Sequence, residues 1–324
     1  MAIAVAAVVT QFGAYYINNP DNMKRLRNML YLPADTATYF QERPGDDTVY
    51  RGVLATLNRI VQPFQKAFTP IGTITFEPNQ FPLFKIKVDM SETPDDLEAT
   101  YLGFLASQPE ADRAQWLFIR WLIEVHVMAK IQQDLELNEY FKGVYAAPTP
   151  NTAGAAGTAM DGIRKVIRGY NTAGRLNLKN GPQVLGAIPT DPVECVTYLE
   201  KFADGIPSVF RSKLDAIFVA PEVAIRYKRG KREKYNLNYA QTNDLQSLED
   251  YPKIKVVGLE SHAGSGLVWT SLPENRIRAT KKAVLGNTMK VESAKRVVDL
   301  LTDWWESLNF EVPEFVFTND QDLV

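Results

Sequence analysis

The sequence predicts an α+β protein, and three observations lead to that class. Residues 72–90 place apolar side chains at every second position, which is the period of a half-buried strand. Residues 110–142 contain neither proline nor glycine and are apolar through their middle, which predicts one long helix buried on several faces. Residues 185–284 alternate short helical and strand-like patterns. Strands and helices therefore share the chain without a regular repeat.

Composition indicates an ordinary folded protein. The chain has 324 residues, of which 45% are hydrophobic and 23% charged, so it can bury a full core over two or more lobes. Its formal net charge is −2 and its pI is about 5.9. A protein that binds the phosphate backbone of nucleic acid usually carries an excess of basic residues, so the slightly negative net charge disfavours dedicated nucleic-acid binding.

Metal, disulfide and membrane chemistry have little support in the sequence. Cys195 is the single cysteine, which excludes an internal disulfide framework. His126 and His262 are the only histidines, and no zinc-binding spacing is present, so we expect no metal and no cofactor. No apolar run reaches the ~18 residues that a bilayer-spanning helix needs. These features predict a soluble intracellular protein.

The first part of the chain is predicted to contain an arm, a helix and a hairpin. Residues 1–47 have weak periodicity and several turn signals, which indicates an extended arm with short helical pieces. Helical spacing of apolar residues predicts a helix over 48–68, and the turn-forming residues 78–80 predict a hairpin between two strands within 72–90. The apolar face of the second strand has no obvious partner elsewhere in the sequence, and an isolated hairpin is marginally stable. That face consists of Phe84, Ile86 and Val88.

The remaining elements follow from local signals. A short helix is predicted to begin at Pro94, and the long helix 110–142 carries His126 in its middle as a hydrogen-bonded core residue. The later predictions are a loop of small residues at 145–160, helices at 191–204, 221–235 and 291–308, and strands at 215–221, 253–259, 266–271 and 310–318. The strands 253–259 and 266–271 are predicted to form a hairpin around a glycine-containing turn.

The stretch 259–280 raises the question of catalysis, because Ser261 and Ser265 lie beside His262. A nucleophile elbow requires Gly-x-Ser-x-Gly between a strand and a helix. Around Ser265 the flanking positions are Ala263 and Leu267, so the pattern fails. We favour a hairpin turn here, and we retain as the alternative of another class a serine hydrolase that uses Ser261 or Ser265 with His262.

Two further motifs suggest a binding site, but each has a simpler structural interpretation. Gly157 and Gly162 have the spacing of a P-loop, but no lysine followed by serine or threonine comes next, so a mobile connection is the better reading. The basic stretch 226–234 is best read as a solvated helix end, with an intersubunit contact as the alternative. The basic residues of that possible contact are Arg226, Lys228, Arg229, Lys231 and Arg232.

The order of these parts resembles the major capsid protein of tailed bacteriophages, which has the HK97-like fold. The segments "DAIFVAPEVAIRY" and "KIKVVGLESHAGSGLVWTSLPENRIRA" are similar to the axial segments of that family. The segments "FQKAFTPIGTITFEPN" and "SETPDDLEATYLGFLA" look most like capsid proteins of Bacteroidetes phages. The resemblance implies an arm at 1–47, a helix and extended loop at 48–92 with its hairpin at 69–92, a peripheral domain at 93–184 with the spine helix 110–142, an axial domain at 185–284, and a return to the peripheral domain at 285–324.

The resemblance implies structural work rather than catalysis. Pentamers and hexamers of this chain would close an icosahedral head around double-stranded DNA, assembled in the bacterial cytoplasm and found in the virion. A separate scaffold protein and a portal are implied partners, and decoration proteins are compatible with the resemblance. An encapsulin shell is the alternative with the same fold. The implied intersubunit residues of the extended loop are Ile74, Phe76, Phe84, Lys85, Ile86, Lys87 and Val88.

Some members of this family crosslink an extended-loop lysine to an asparagine of a neighbouring subunit. Lys85 and Lys87 are the lysines that the predicted hairpin offers for such a bond. The sequence identifies neither an acceptor asparagine nor a catalytic glutamate, so crosslinking is not part of the main hypothesis.

Overall fold

The computed structural model describes residues 4–30, 35–57, 59–235, 244–282 and 289–323. The α-helices are α1 (Val5–Phe12), α2 (Pro20–Leu30), α3 (Pro94–Ser107), α4 (Glu110–Arg113), α5 (Phe118–Trp121), α6 (Met128–Asp134), α7 (Ile163–Thr172), α8 (Pro192–Asp204), α9 (Ser208–Arg211) and α10 (Pro221–Lys234). The strands are β1 (Gln41–Gly45), β2 (Val49–Leu57), β3 (Ile74–Pro82), β4 (Phe84–Glu92), β5 (Ala216–Val219), β6 (Lys255–Gly258), β7 (Trp269–Ser271), β8 (Arg276–Lys281), β9 (Lys290–Ala294), β10 (Val297–Phe310) and β11 (Val316–Thr318).

The described strands form three sheets. The main sheet has the order β1-β8-β10-β4, with β9 paired to the first part of β10. The second sheet has the order β11-β7-β5-β6, and β2 pairs only with β3 in a two-stranded sheet. Mixed strand directions and helices packed on the sheets confirm the α+β class.

Strand β10 corrects the helix that the sequence predicted over 291–308. The chain forms β9, turns at Lys295, which has a positive φ of 59°, and continues as the 14-residue β10. Side chains at even positions from Val298 to Leu308 are buried, which is the period of a strand. Adjacent apolar pairs such as Trp304-Trp305 satisfy the helical period equally well, so the neighbouring strands decided the outcome.

Strand β4 pairs with β10 in the main sheet, and this pairing gives its apolar face a partner within the chain. Phe84 and Ile86 are buried in the main core, and Val88 packs partly against it. The antiparallel register places Ile86 opposite Trp304. The expectation that this apolar face has no partner within the chain is therefore wrong.

The helix predicted over 48–68 is also wrong, as is the turn predicted at 78–80. Residues 49–57 form β2, and residues 78–80 lie within β3 opposite residues 51–53. Pro78 and Pro82 are tolerated because, among the described strands, β3 has a neighbour on one side only, so a missing N–H can face away from the pairing. The hairpin of this chain is thus β2–β3, whose connection contains residues 59–73, and not the strand pair predicted over 69–92.

The N-terminal segment is more ordered than the predicted extended arm. Helix α1 continues through a π-helical turn, Gly13–Ile17, and α2 follows. Val8, Phe12 and Tyr16 are buried in the same core as the long helix. The Tyr16 hydroxyl donates to Glu124 Oε1 at 3.1 Å, which ties this segment to that helix.

The long helix begins later than predicted. Residues 118–139 are continuously helical through α5, a π-helical segment Leu122–Val127, α6 and a second π-helical segment Leu135–Glu139. Leu117 has extended backbone angles, so α4 is a separate short helix, and the long helix spans about 33 Å at 1.5 Å per residue. His126 is exposed and packs edge-on against Trp121, so the core position predicted for it is wrong.

A buried carboxylate joins the long helix to the main sheet. Glu306 on β10 accepts hydrogen bonds from Arg278 Nε at 2.7 Å, from Tyr140 Oη at 2.9 Å and from Trp304 Nε1 at 2.9 Å. Burial and the Glu306 charge raise the pKa of Tyr140 well above its ordinary value, so its hydroxyl keeps its proton and donates. Three donors thus satisfy one carboxylate that has no contact with solvent.

The second sheet corrects the hairpin predicted between residues 253–259 and 266–271. Strands β6 and β7 do not pair with each other, because both pair with β5, in parallel and antiparallel directions respectively. The chain between them crosses the end of β5 through a 3₁₀ turn, Glu260–His262. The helices predicted at 191–204 and 221–235 are confirmed as α8 and α10.

The two ends of the C-terminal region belong to different sheets. Strands β8 and β10 lie in the main sheet, whereas β11 pairs with β7 in the second sheet. The boundary predicted near residue 284 therefore does not coincide with a division between the sheets.

Candidate assembly surface and the buried Ser261–His262 cluster

The β2–β3 hairpin is the described element with the most exposed apolar surface. Phe64 and Phe68 in the connection 59–73 are 93% and 92% exposed, and Ile74 and Phe76 on β3 are 55% and 65% exposed. The other large apolar residues exposed on this hairpin are Val53, Ile60, Val61 and Ile71. Soluble monomers rarely expose apolar residues in such a continuous set, which indicates an interaction surface.

The hairpin connection carries positive charge only. Arg59 and Lys66 are its charged residues, and residues 59–73 contain no carboxylate. Hydrogen bonds within the connection hold its shape, including Gln62 Nε2 to the Thr69 carbonyl at 2.7 Å. The surface is therefore an apolar projection with a weakly basic edge.

The base of the hairpin is fixed to the body of the protein. Asn79 is buried and its Nδ2 donates to the carbonyls of Phe310 at 2.7 Å and Glu311 at 3.0 Å. The rings of Tyr50 and Phe81 stack at 4.9 Å, and Phe81 packs on the main sheet. The hairpin thus projects from a rigid attachment rather than from a loose linker.

The structure separates the predicted contact residues into two groups. Ile74 and Phe76 lie exposed on the hairpin, as an intersubunit surface requires. Phe84, Ile86 and Val88 pack within the chain's own core, while Lys85 forms an ion pair with Asp303 and Lys87 an ion pair with Asp89 at 2.5 Å. Because Lys85 and Lys87 lie on β4 and not on the hairpin, the basis for a crosslink from them is lost.

The most exposed residues of this surface, Phe64 and Phe68, are not among the contact residues that the sequence predicts. Phe64 and Phe68 fall within the helix that the sequence predicts over 48–68. The signal that could have located them is Pro63 and Pro70, which interrupt any helix through that region.

The predicted basic contact on α10 is only partly available at the surface. Lys231 is buried, where its Nζ donates to the Ser247 carbonyl at 2.7 Å and pairs with Glu249 at 3.3 Å. Arg226 donates to the Pro189 carbonyl at 2.8 Å, and Lys228 is half-buried. Arg229 and Arg232 are exposed, so these two residues carry what remains of that prediction.

The Ser261–His262 cluster is completely buried. Both side chains have no solvent exposure, and the His262 ring stacks on Phe141 with ring centres 3.8 Å apart. Ser261 Oγ lies 2.8 Å from His262 Nδ1 and 2.6 Å from Thr36 Oγ1. Thr36 Oγ1 in turn donates to Glu136 Oε1 at 2.5 Å.

The direction of these hydrogen bonds is the reverse of what a serine nucleophile requires. Trp269 Nε1 can only donate, and it lies 2.9 Å from His262 Nε2, so Nε2 accepts and Nδ1 carries the ring proton. His262 Nδ1 then donates to Ser261 Oγ, whereas a catalytic serine donates to its histidine. Burial, with a smaller effect from Lys142, lowers the pKa of His262 to about 3, so the ring is neutral at physiological pH.

Ser265 does not complete a catalytic arrangement either. Its Oγ donates to Asp322 Oδ2 at 2.6 Å and accepts from the Leu267 amide at 3.1 Å. Its backbone N–H donates to the His262 carbonyl, but its side chain bonds elsewhere. The geometry therefore gives no support to the hydrolase alternative.

The described ranges contain neither a cluster of metal ligands nor a membrane-spanning helix. No group of three or more histidine, cysteine, aspartate or glutamate side chains there could hold a metal ion. None of the helices in those ranges combines the length and the apolar character that crossing a membrane would require.

Comparisons with known proteins place the fold. No family model and no curated protein matches the chain. Among solved structures, it is similar to a chain of the satellite phage P4 procapsid that includes the size determination (Sid) protein, with a TM-score of 0.58 and 12% identity over 92% of this chain and 88% of that one.

Two further solved structures agree with this. A chain of the capsid of Myoviridae phage XM1 gives a TM-score of 0.51 and 10% identity over 88% of this chain and 90% of that one. A chain of the capsid of an empty GTA particle gives a TM-score of 0.52 and 11% identity over 88% of this chain and 89% of that one. The similarity covers nearly the whole length of each chain, and it shows that this protein has the HK97-like capsid fold.

Proposed function

We propose that this protein is a shell-forming structural protein, the major capsid protein of a tailed double-stranded DNA phage. Many copies would assemble as pentamers and hexamers into an icosahedral head. The observation that carries the proposal is the β2–β3 hairpin, whose apolar surface projects away from the described core. The HK97-like fold supports it, because the similar solved chains form capsids and a procapsid.

The hydrophobic effect supplies the driving force for assembly in this proposal. Burying a phenylalanine side chain contributes about 1.5–3 kcal/mol, and Phe64 and Phe68 are almost fully available for burial. The same surface occurs once on every copy, so a repeated contact of moderate strength is sufficient to close a symmetric shell.

The proposed contact residues differ from those that the sequence suggested. Ile74 and Phe76 remain, Phe64 and Phe68 become the principal residues, and Phe84 and Ile86 are assigned to the core. Arg229 and Arg232 on α10 are proposed as a secondary polar contact between copies.

We further propose that the shell encloses DNA without reading its sequence, since the chain is mildly acidic. A separate scaffold protein, a portal and decoration proteins would be its partners. Assembly would take place in the cytoplasm of a bacterial host, with a Bacteroidetes phage as the finer proposal, and the product would be the virion. A non-enzymatic role is supported by the buried and reversed Ser261–His262 hydrogen bond.

The division into parts is retained as a proposal. The peripheral part would contain the long helix 118–139 and the main sheet, and the axial part would contain the second sheet with α8 and α10. In this version β8 and β10 belong with the peripheral part and β11 with the axial part, in place of the boundary at residue 284.

Electron microscopy of the purified chain tests the proposal. We expect shells, tubes or capsomers from the wild type, and loss of these from the double variant Phe64→Asp/Phe68→Asp because a charge would have to be buried in each contact. Val184→Asp is the matched control, since Val184 is exposed, apolar and outside the hairpin. A wild-type protein that stays monomeric at high concentration, with or without scaffold, contradicts the proposal. An encapsulin shell would instead contain cargo enzyme in place of nucleic acid.

A further inference from the structure

The hairpin divides into a fixed base and a free outer part. Asn79, Phe81 and Gly52 at its base are buried, and described residues 59–76 are all exposed. Glu77 lies at the boundary between the two parts, directly after the exposed stretch. It forms an ion pair with Lys179 of the body. What holds Glu77 therefore has the most control over the direction of the outer part.

Two cations of the segment that follows α7 hold Glu77. Lys179 Nζ donates to Glu77 Oε1 at 2.6 Å, and Arg175 Nη2 lies 3.8 Å from Glu77 Oε2. Arg175 is itself fixed, because its Nε donates to the buried Glu314 at 2.7 Å. The hydrogen bond from Lys179 is the main cause that lowers the pKa of Glu77, so this carboxylate stays ionised at neutral pH.

The backbone that presents Lys179 is in an unusual conformation. Asn177, Leu178 and Lys179 have φ values of 48°, 59° and 70°, three consecutive non-glycine residues in the left-handed region. Such residues persist only where surrounding contacts determine them, and they concentrate at functional sites. Here Asn177 supplies those contacts, accepting from the Thr318 amide at 2.9 Å and donating to the Thr318 carbonyl at 3.3 Å.

These two observations fit one role. An ion pair between partly exposed groups is weak and exchanges readily with water, so it does not contribute much to the fold. Yet the chain maintains a strained turn that ends at Lys179. Among the described residues, Glu77 is the side-chain hydrogen-bond partner of Lys179. A weak Lys179–Glu77 ion pair, presented by a strained turn at residues 177–179, is suited to open and close.

We propose that Glu77 with Lys179 and Arg175 is a releasable latch that sets the direction in which the hairpin projects, and thereby regulates which neighbour the assembly surface can reach. The proposal rests on the function proposed above for the hairpin. When the latch is closed, the outer hairpin continues in line with its base at Asn79. When it is open, the outer part pivots at residues 77 and 54, which face each other across the two strands.

Distance measurements between spin labels test the latch in the full-length, unassembled chain. The labels would be placed at Lys66→Cys on the hairpin and Gln133→Cys on the long helix, since both positions are exposed and the native Cys195 is buried. Glu77→Gln and Lys179→Gln should each raise the population with a displaced hairpin by up to about fivefold, the upper limit for a surface ion pair. Lys179→Arg should restore the wild-type distribution.

A matched control and a second readout separate the latch from the proposed function. Glu110→Gln, which alters an exposed glutamate outside the latch, should leave the distances unchanged. In electron micrographs the latch variants should still assemble, with a wider spread of particle diameters than the wild type. Unchanged distances in both Glu77→Gln and Lys179→Gln overturn the latch, whereas a wild type that never assembles overturns the proposed function and leaves the distance result standing.

Discussion

His262 shows how its neighbours decide what a reactive residue type can do. The tryptophan donor at Nε2 fixes the ring proton on Nδ1, and Ser261 and Thr36 pass the hydrogen bonds on to Glu136. The chain of donors leads from the second sheet to the long helix, so it ties two elements together across the core. Its residue types suggested catalysis, and the structure gives it the features of a structural network.

The burial of His262 predicts a dependence of stability on pH. Its pKa is about 3 in the folded state and 6.5 when unperturbed, so between these values the unfolded chain binds the extra proton. Stability should therefore fall as the pH drops below 6.5, by about 2 kcal/mol at pH 5 from this group alone. Denaturant unfolding at pH 7, 6 and 5 measures it.

One variant isolates that contribution. His262→Gln should reduce the slope of stability against pH in this range, although it also lowers stability at pH 7. Equal slopes for the wild type and His262→Gln would show that His262 is not buried in its neutral form.

Glu306 illustrates the cost of removing one partner from a buried ion pair. Glu306→Ala would remove the buried carboxylate that accepts hydrogen bonds from Arg278, Tyr140 and Trp304, which should destabilise the protein by about 3–5 kcal/mol. Asp303→Ala, on the exposed side of the same strand, should cost less than about 1 kcal/mol because it breaks only a surface ion pair. Thermal or denaturant unfolding of both variants makes the comparison, and similar losses would contradict the described sidedness of β10.

Among the elements, those with strong end signals were predicted well. Proline at the first turn marks the start of both α8 and α10, and Asp191 caps α8 by accepting from the Glu194 amide at 2.9 Å. Segment 291–308 lacks such signals, and its apolar residues fit both the helical period of 3.6 and the strand period of 2. Its strand identity depends on pairing with β4, which lies some 200 residues earlier, and local sequence does not carry that information.

The crossing of α8 and α10 gives a prediction at the same scale. A Cβ at Gly230 would lie 1.9 Å from the Pro192 carbonyl oxygen, so the two backbones are in contact there. Gly230→Ala should destabilise the protein by about 1–3 kcal/mol through this overlap, despite the better helix propensity of alanine. Gly169→Ala in α7, where nothing lies within 4 Å, should instead stabilise it by up to about 1 kcal/mol. Melting temperatures that shift in the same direction for both would contradict the close crossing.

For the whole molecule, the order of parts was more informative than any single part. The succession of a projecting loop, a long helix and an α/β lobe led to the HK97-like fold, which the similar capsid chains confirm. The candidate surface is harder to predict from the sequence, because β4 alternates as a strand of a projecting hairpin would, although it pairs with β10 in the main sheet. Ile74 and Phe76 were found by alternation, whereas Phe64 and Phe68 lie in a connection without regular structure, where no period identifies exposed residues.

A cryo-electron microscopy structure of the assembled particle would show directly whether the β2–β3 hairpin is the assembly surface. We expect the hairpin of each copy to extend over a neighbouring copy and to bury Phe64 and Phe68 against it. Particles in which the hairpin packs on its own chain, or in which those two side chains remain exposed to solvent, would show that this hairpin is not the assembly surface.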